Sequence, residues 1–129
     1  MTNRTVDRRE QALALLGKLD PDAPEKVAKR LDRLSPDFLE LILGFSFADI
    51  VARPGIDLKT REMLTVAALM AMGTASSQLE FHIRAALNVG VTREEVIEIL
   101  LQIAVYAGVP ACMNGITAAE AAFATHTQR

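Results

Sequence analysis

The stretch Gln78–Val96, QLEFHIRAALNVGVTREEV, decides how this chain is read. Leu79, Ile83 and Ala86 recur at helical spacing, so the segment begins as a helix with one apolar face. Gly90 follows, the residue type that accepts a left-handed helix cap. Thr92-Arg93-Glu94-Glu95 then opens another helix as a capping box, in which Thr92 and Glu95 bond each other's backbone. A histidine, His82, stands among the apolar residues of the first helix, at the edge of its buried face. Helix, glycine stop, turn and newly capped helix make an all-α reading, and histidine chemistry is the first functional lead.

Upstream, a helix is expected from about Asp57 to Met72, stopped by Gly73, with Ser76 or Ser77 as cap of the helix that follows. No charge occurs between Glu62 and Glu80. Downstream, the helix opened by Thr92 should run to about Ala107, before Gly108 and Pro110, and a last helix should take up Ala111 to Ala124. Here too, from Ile99 to Ala119, there is no charge. The run is long enough to raise a membrane span. Gly108, Pro110, Asn114 and Gly115 interrupt it, and Gln102 and Tyr106 need polar partners, so a buried helical hairpin is the better reading. Two uncharged segments in so short a chain imply that other subunits cover part of the surface. A tightly packed monomer core is the plainer alternative.

The N-terminal part is more charged. Val6, Ala12, Leu13, Leu15, Leu16 and Leu19 predict a helix over 6–19, broken by Asp20-Pro21. A second helix is expected from Pro24 to Leu34. Ser35 should cap a third, with Pro36 at its first position and Phe38, Leu39, Leu41, Ile42, Leu43, Phe45 and Phe47 along it. Ala52-Arg53-Pro54-Gly55 is the clearest turn, read as a corner inside a single domain spanning 1–129. The expected architecture is a compact helical domain of six or seven helices, with no strand or hairpin pattern.

Composition narrows the function. The net charge is −2, and the early Lys and Arg residues are interleaved with acids, so a nucleic-acid surface is not expected. The polar N-terminus MTNRTVDRREQ lacks the apolar run of a signal peptide, and Cys112 is the single cysteine. No internal disulfide or CxxC redox pair is possible, and a cytoplasmic protein with no membrane partner is expected. His126 lies far along the chain from His82, and no metal-ligand cluster is visible.

Histidine is the side chain whose ordinary titration suits proton transfer near neutrality, which makes His82 the first catalytic candidate. A hydrogen-bonded core histidine is the bland alternative. Glu62 is the second, because a carboxylate buried beside a histidine orients the ring and raises its basicity. Alternatively, Glu62 only enjoys the start of its helix. Glu98, Gln102 and Tyr106 recur every fourth residue, as either a wet stripe or the lining of a polar cavity. Arg53, Arg61 and Arg84 are candidate carboxylate clamps, although Arg84 can equally pair with Glu80 one turn back. Cys112 and the methionines read as core fill.

Taken together, Lys59-Thr60-Arg61-Glu62 and LEFHIRAALNVGVTREEVIEILLQIAVYAGVPA from Leu79 to Ala111 resemble the carboxymuconolactone decarboxylase family. Phe47-Ala48-Asp49-Ile50 before Arg53-Pro54-Gly55 adds to the likeness, which covers roughly residues 36–125. The resemblance implies an alkyl hydroperoxide reductase D-like (AhpD-like) helical fold, assembly as a homo-oligomer (trimer or hexamer) and chemistry without metal or organic cofactor. It implies decarboxylation of γ-carboxymuconolactone or a related small carboxylated lactone. His82 would transfer the proton, Glu62 would tune it, and Arg53, Arg61, Arg84 and Tyr106 would bind substrate. The family's peroxidase branch needs a CxxC pair before the histidine; here that region reads Gly73-Thr74-Ala75-Ser76-Ser77-Gln78. Phe47 stands where a decarboxylase is expected to carry tryptophan, and the chain has none, so the substrate stays open. A non-catalytic or ligand-binding family member is the reading from another class.

Overall fold

A computed structural model describes residues 4–126. Seven helices and no strand occur among them: α1 (Arg4–Leu19), α2 (Ala23–Leu34), a π-helix π1 (Leu39–Val51), α3 (Leu58–Met72), α4 (Ser76–Asn88), α5 (Arg93–Tyr106) and α6 (Val109–Thr125). The all-α expectation holds. The chain divides into two compact units that meet in sequence at Ile56 and Asp57, just past the Pro54-Gly55 turn.

In the first unit α1 packs mainly against π1 and more lightly against α2. Ala12, Leu15, Leu16 and Leu19 are buried along α1, together with Ala23 and Leu39. The side chain of Val6, expected on the same face, lies outside the described residues. Arg9 holds α2 through a two-pronged bond to Asp32, at 3.0 and 2.7 Å.

The third helix departs from expectation. Ser35 does not cap it: its hydroxyl donates to the Asp37 carboxylate at 2.6 Å. The chain turns through Pro36 and Asp37, and the helix that starts at Leu39 is wound as a π-helix rather than an α-helix. The Ala52 N–H accordingly donates to the carbonyl of Phe47, five residues back, at 2.9 Å. Apolar content foretold a helix here but not its winding.

The second unit holds the main core. Its helices pack as α3 against α4, α4 against α6, α6 against α5 and α5 against α3. Val66, Met70, Leu79, Ile83, Ala86, Val96, Leu100 and Ile103 are buried between them. Each helix boundary has a local cause. Asp57 caps α3 by accepting the Thr60 N–H at 2.8 Å, and Gly73 ends it at φ 74°, in the left-handed region. The Thr92–Glu95 capping box is complete, with bonds of 2.9 and 3.0 Å. Neither Ser76 nor Ser77 caps α4; Ala75 holds the cap position and Ser76 is already helical. At Gly115 a Cβ would stand 2.8 Å from Leu100 Cδ2 and 3.3 Å from Met70 Cγ, so the side chains of α5 and α3 approach α6 closely at its one interior glycine.

No helix is long and apolar enough to cross a membrane among the described residues. The uncharged run 99–119, which ends α5 and begins α6, is only partly buried. Leu101, Val105, Val109 and Met113 are exposed in the single chain, as are Leu64 and Met72 on α3. The hairpin read as buried is therefore partly open in one chain: Ile97, Leu101 and Val105 form an open apolar edge.

Candidate active site

Glu62, Val66 and Met70 recur every fourth residue of α3 and are all buried, so a carboxylate shares the core face of this helix. A charged group placed there needs a hydrogen-bonded partner, because burial strips away its water. His82 supplies it from α4. Its Nδ1 lies 2.8 Å from Glu62 Oε1, with the imidazole side chain 12% exposed and the carboxylate 2%. Leu79, Ile83 and Ala86 are buried around the same turns of α4, which seats the ring at the margin of the core. Phe81 meets the imidazole edge to face, ring centroids 5.1 Å apart.

With Glu62 ionised, Nδ1 carries the proton of this bond. Nε2 is then the nitrogen that can exchange a proton with a bound molecule. The pairing is that of a histidine fixed in one orientation by a carboxylate behind it, the arrangement general acid/base work requires.

The other candidates separate. Arg84 Nη1 donates to Glu80 Oε1 at 2.8 Å and to the Thr125 hydroxyl at 3.2 Å, so its guanidinium is directed to α6. Two residues along a helix is about 200° of rotation, so Arg84 and His82 occupy different sides of α4. Arg61 is half-buried and precedes Glu62 directly on α3, where its carbonyl accepts the Thr65 hydroxyl at 2.9 Å. Arg53 is exposed in the turn that ends the first unit. Tyr106, at the end of α5, is 81% exposed, and Glu98 and Gln102 are exposed with it. In the single chain the stripe they form is the wet one. Cys112 is a buried free thiol, and His126 hydrogen-bonds Asn88 at 2.9 Å.

Two features were not foreseen. A cleft of about 440 Å³ with a mixed lining opens between the start of α4 and α6, where Ser76, Ser77, Glu80, Asn114 and Thr117 face Ala118 and Ala121. The signal was present in Asn114 and Thr117, polar residues one turn apart in the uncharged run 99–119. An apolar groove of about 280 Å³ lies between α5 and α6, bordered by Ile97, Leu101, Cys112, Ile116 and Phe123.

Comparison with known proteins bears on this arrangement. The chain is 36% identical over 95 residues to a 4-carboxymuconolactone decarboxylase of Acinetobacter baylyi, covering 74% of this chain and 70% of that one. It is 38% identical over 77 residues to a nitrosuccinic acid decarboxylase of Metarhizium robertsii, covering 60% of this chain and 53% of the relative. An uncharacterized 15.0 kDa protein of Paracoccus denitrificans is 31% identical over 116 residues, 89% of this chain and 84% of the other. Residues 36–121 match the sequence profile of the Carboxymuconolactone decarboxylase family, a span that holds both Glu62 and His82. The chain belongs to the carboxymuconolactone decarboxylase family.

Proposed function

We propose that the protein is a cofactor-free decarboxylase acting on γ-carboxymuconolactone or a related small carboxylated lactone, with His82 as general acid/base. The observation that carries the reading is the 2.8 Å bond between a buried carboxylate and a histidine at the margin of the core. Two relatives named as decarboxylases support the reaction class.

The chemistry balances with these two residues. The bond from ring carbon to carboxylate breaks, CO₂ leaves, and the electron pair passes into conjugation with the lactone carbonyl. His82, protonated on both nitrogens, gives its Nε2 proton to carbon. It ends neutral, with Nδ1–H still on Glu62, and water restores the lost proton. Glu62 acts through His82 and is a positioning residue. Of the arginines, Arg61 is the best-supported anchor for a substrate carboxylate, since it adjoins Glu62 and is half-buried. Arg53, Arg84 and Tyr106 are weaker candidates by their positions in the single chain. The open apolar residues of α5 and α6 support assembly into a trimer or hexamer, which would exclude water from the site.

The relative named for nitrosuccinic acid supports a broader substrate class on this reading, because a nitro group can also accept the electron pair left by CO₂. CO₂ release should therefore be measured with both acids. Turnover on either, lost about 10²-fold or more in His82→Ala, is the expected result. Glu62→Gln should lower kcat and shift its pH profile while leaving KM nearly unchanged. A folded, oligomeric wild-type protein inactive on both acids would favour the non-catalytic reading. Light scattering that found a monomer at micromolar concentration would overturn the assembly.

A further inference from the structure

The π-helix has its own lock. Arg8 on α1 reaches two acids of π1 at once: Nη1 lies 3.2 Å from Glu40 Oε1, while Nε and Nη2 lie 3.2 and 2.9 Å from the two oxygens of Asp49. Gly44 lies between the two acids, and a Cβ there would stand 3.2 Å from Arg8 Nη2. The guanidinium therefore lies along one face of π1, across Glu40, Gly44 and Asp49.

That face exists only in the π winding. Glu40 and Asp49 are nine positions apart. In an α-helix of about 3.6 residues per turn they would be about 180° apart, on opposite sides. Bonding to the fifth residue back requires about 4.4 residues per turn, and nine positions then make about two full turns. One arginine cannot bridge two acids on opposite sides of a helix. The same arithmetic applies to Leu41, Phe45 and Ile50, all exposed. The π winding gathers them into one apolar stripe, whereas an α winding would send Ile50 to the side opposite Leu41.

We propose that residues 39–51 are a two-state element, in which the Arg8 clamp selects the π winding over the α winding. Releasing the clamp rewinds the segment and dismantles the Leu41–Phe45–Ile50 stripe. The fork geometry of arginine is essential, since only a planar guanidinium presents donors toward both acids along the helix. Inside the segment the Ser46 hydroxyl donates to the Ile42 carbonyl at 2.8 Å, a local bond that can bend a helix but does not join the two acids. The segment contains no proline, and its one glycine is the residue over which Arg8 lies.

The test is which carbonyl the Ala52 N–H uses, read by NMR couplings across the hydrogen bond in the full chain. The wild type should couple Ala52 N to Phe47 C′. In Arg8→Ala the coupling should move to Ala48 C′, the α partner, and Asp49→Ala should do the same. Should Arg8→Ala fail to fold, Asp49→Ala carries the test, because it removes the two-pronged half of the clamp and leaves α1 intact. Coupling that stays on Phe47 in a folded variant overturns the proposal. Loss of both couplings, with 39–51 unfolded, overturns it equally, because the α winding would then not be the alternative state.

Discussion

Each unit of this chain sets a cation-forming side chain against carboxylate, and the two pairings differ in solvent access. Glu62 and His82 meet in the core, with side chains 2% and 12% exposed. Arg8 meets Glu40 and Asp49 near the surface, where the three side chains are 25%, 20% and 44% exposed. Surface pairs gain little free energy, because water competes for both partners and salt screens them. A buried pair is unforgiving, since removing one partner strands the other. The buried pairing is thus suited to holding a reactive group in one protonation geometry. The exposed one is suited to choosing between windings of similar energy.

The largest effect should come from breaking the buried pair on the histidine side. His82→Ala leaves the Glu62 carboxylate in the core without its bond, which costs about 3–5 kcal/mol when the charge is kept. Glu62→Leu removes the charge itself and leaves a neutral imidazole lacking one acceptor, at a cost of about 1–3 kcal/mol. Urea unfolding at neutral pH should therefore rank His82→Ala below Glu62→Leu. Equal deficits in the two variants would mean the pair is not electrostatically coupled.

How far the sequence disclosed these two pairings follows from what each depends on. Helix existence in the second unit, and the ends of α3 and the start of α5, were legible because their causes are local: Asp57, Gly73, Thr92 and Glu95 each act on backbone a few residues away, whereas α4 starts without the serine cap expected of it. Glu62 and His82 could be nominated, one by its place before an uncharged run and the other by residue type. Their contact could not, since it depends on the rotation of α3 against α4. Arg84 was ambiguous in sequence, and its bond to Glu80 shows the local partner prevailing. The winding of π1 was hidden most deeply. Its apolar residues fit any helix, and the carboxylate spacing that marks the π form has meaning only once Arg8 is known to lie over Gly44. The exposure of Leu101, Val105 and Tyr106 in the single chain was one of two readings left open, because sequence does not show which face of a helix its neighbours leave uncovered.

A smaller effect is expected at the start of α5, where a local device can be compared with the long-range pairs. Thr92→Ala removes the capping acceptor of the Glu95 N–H and should cost about 1 kcal/mol in unfolding free energy. Glu95 adds a pH dependence. The Thr92 N–H, together with Lys59, whose ammonium is 3.3 Å away, holds its carboxyl below the usual carboxylate range. A carboxyl lowered on folding adds stability that is complete above its unfolded value of about 4.3. That contribution disappears as pH falls through the lowered value. Glu95→Gln should thus destabilise at pH 7 and converge on the wild type in strong acid. A constant difference down to pH 2 would show that the carboxylate's charge contributes nothing to the cap.

The smallest effect on global stability should accompany the largest change of local form. Arg8→Ala removes a clamp whose partners remain hydrated once released, so the unfolding midpoint should move less than in any variant above. Hydrogen exchange should nonetheless change across residues 39–51, and the response should depend on salt in the wild type. High ionic strength weakens an exposed clamp, so concentrated chloride should move wild-type exchange in this segment toward the Arg8→Ala pattern. The Glu62–His82 pair, screened far less because it is buried, should leave exchange in α3 and α4 unaltered by the same salt. If both segments respond together, the two pairings differ only in position. If 39–51 responds alone, the exposed pairing controls conformation while the buried one holds a fixed geometry.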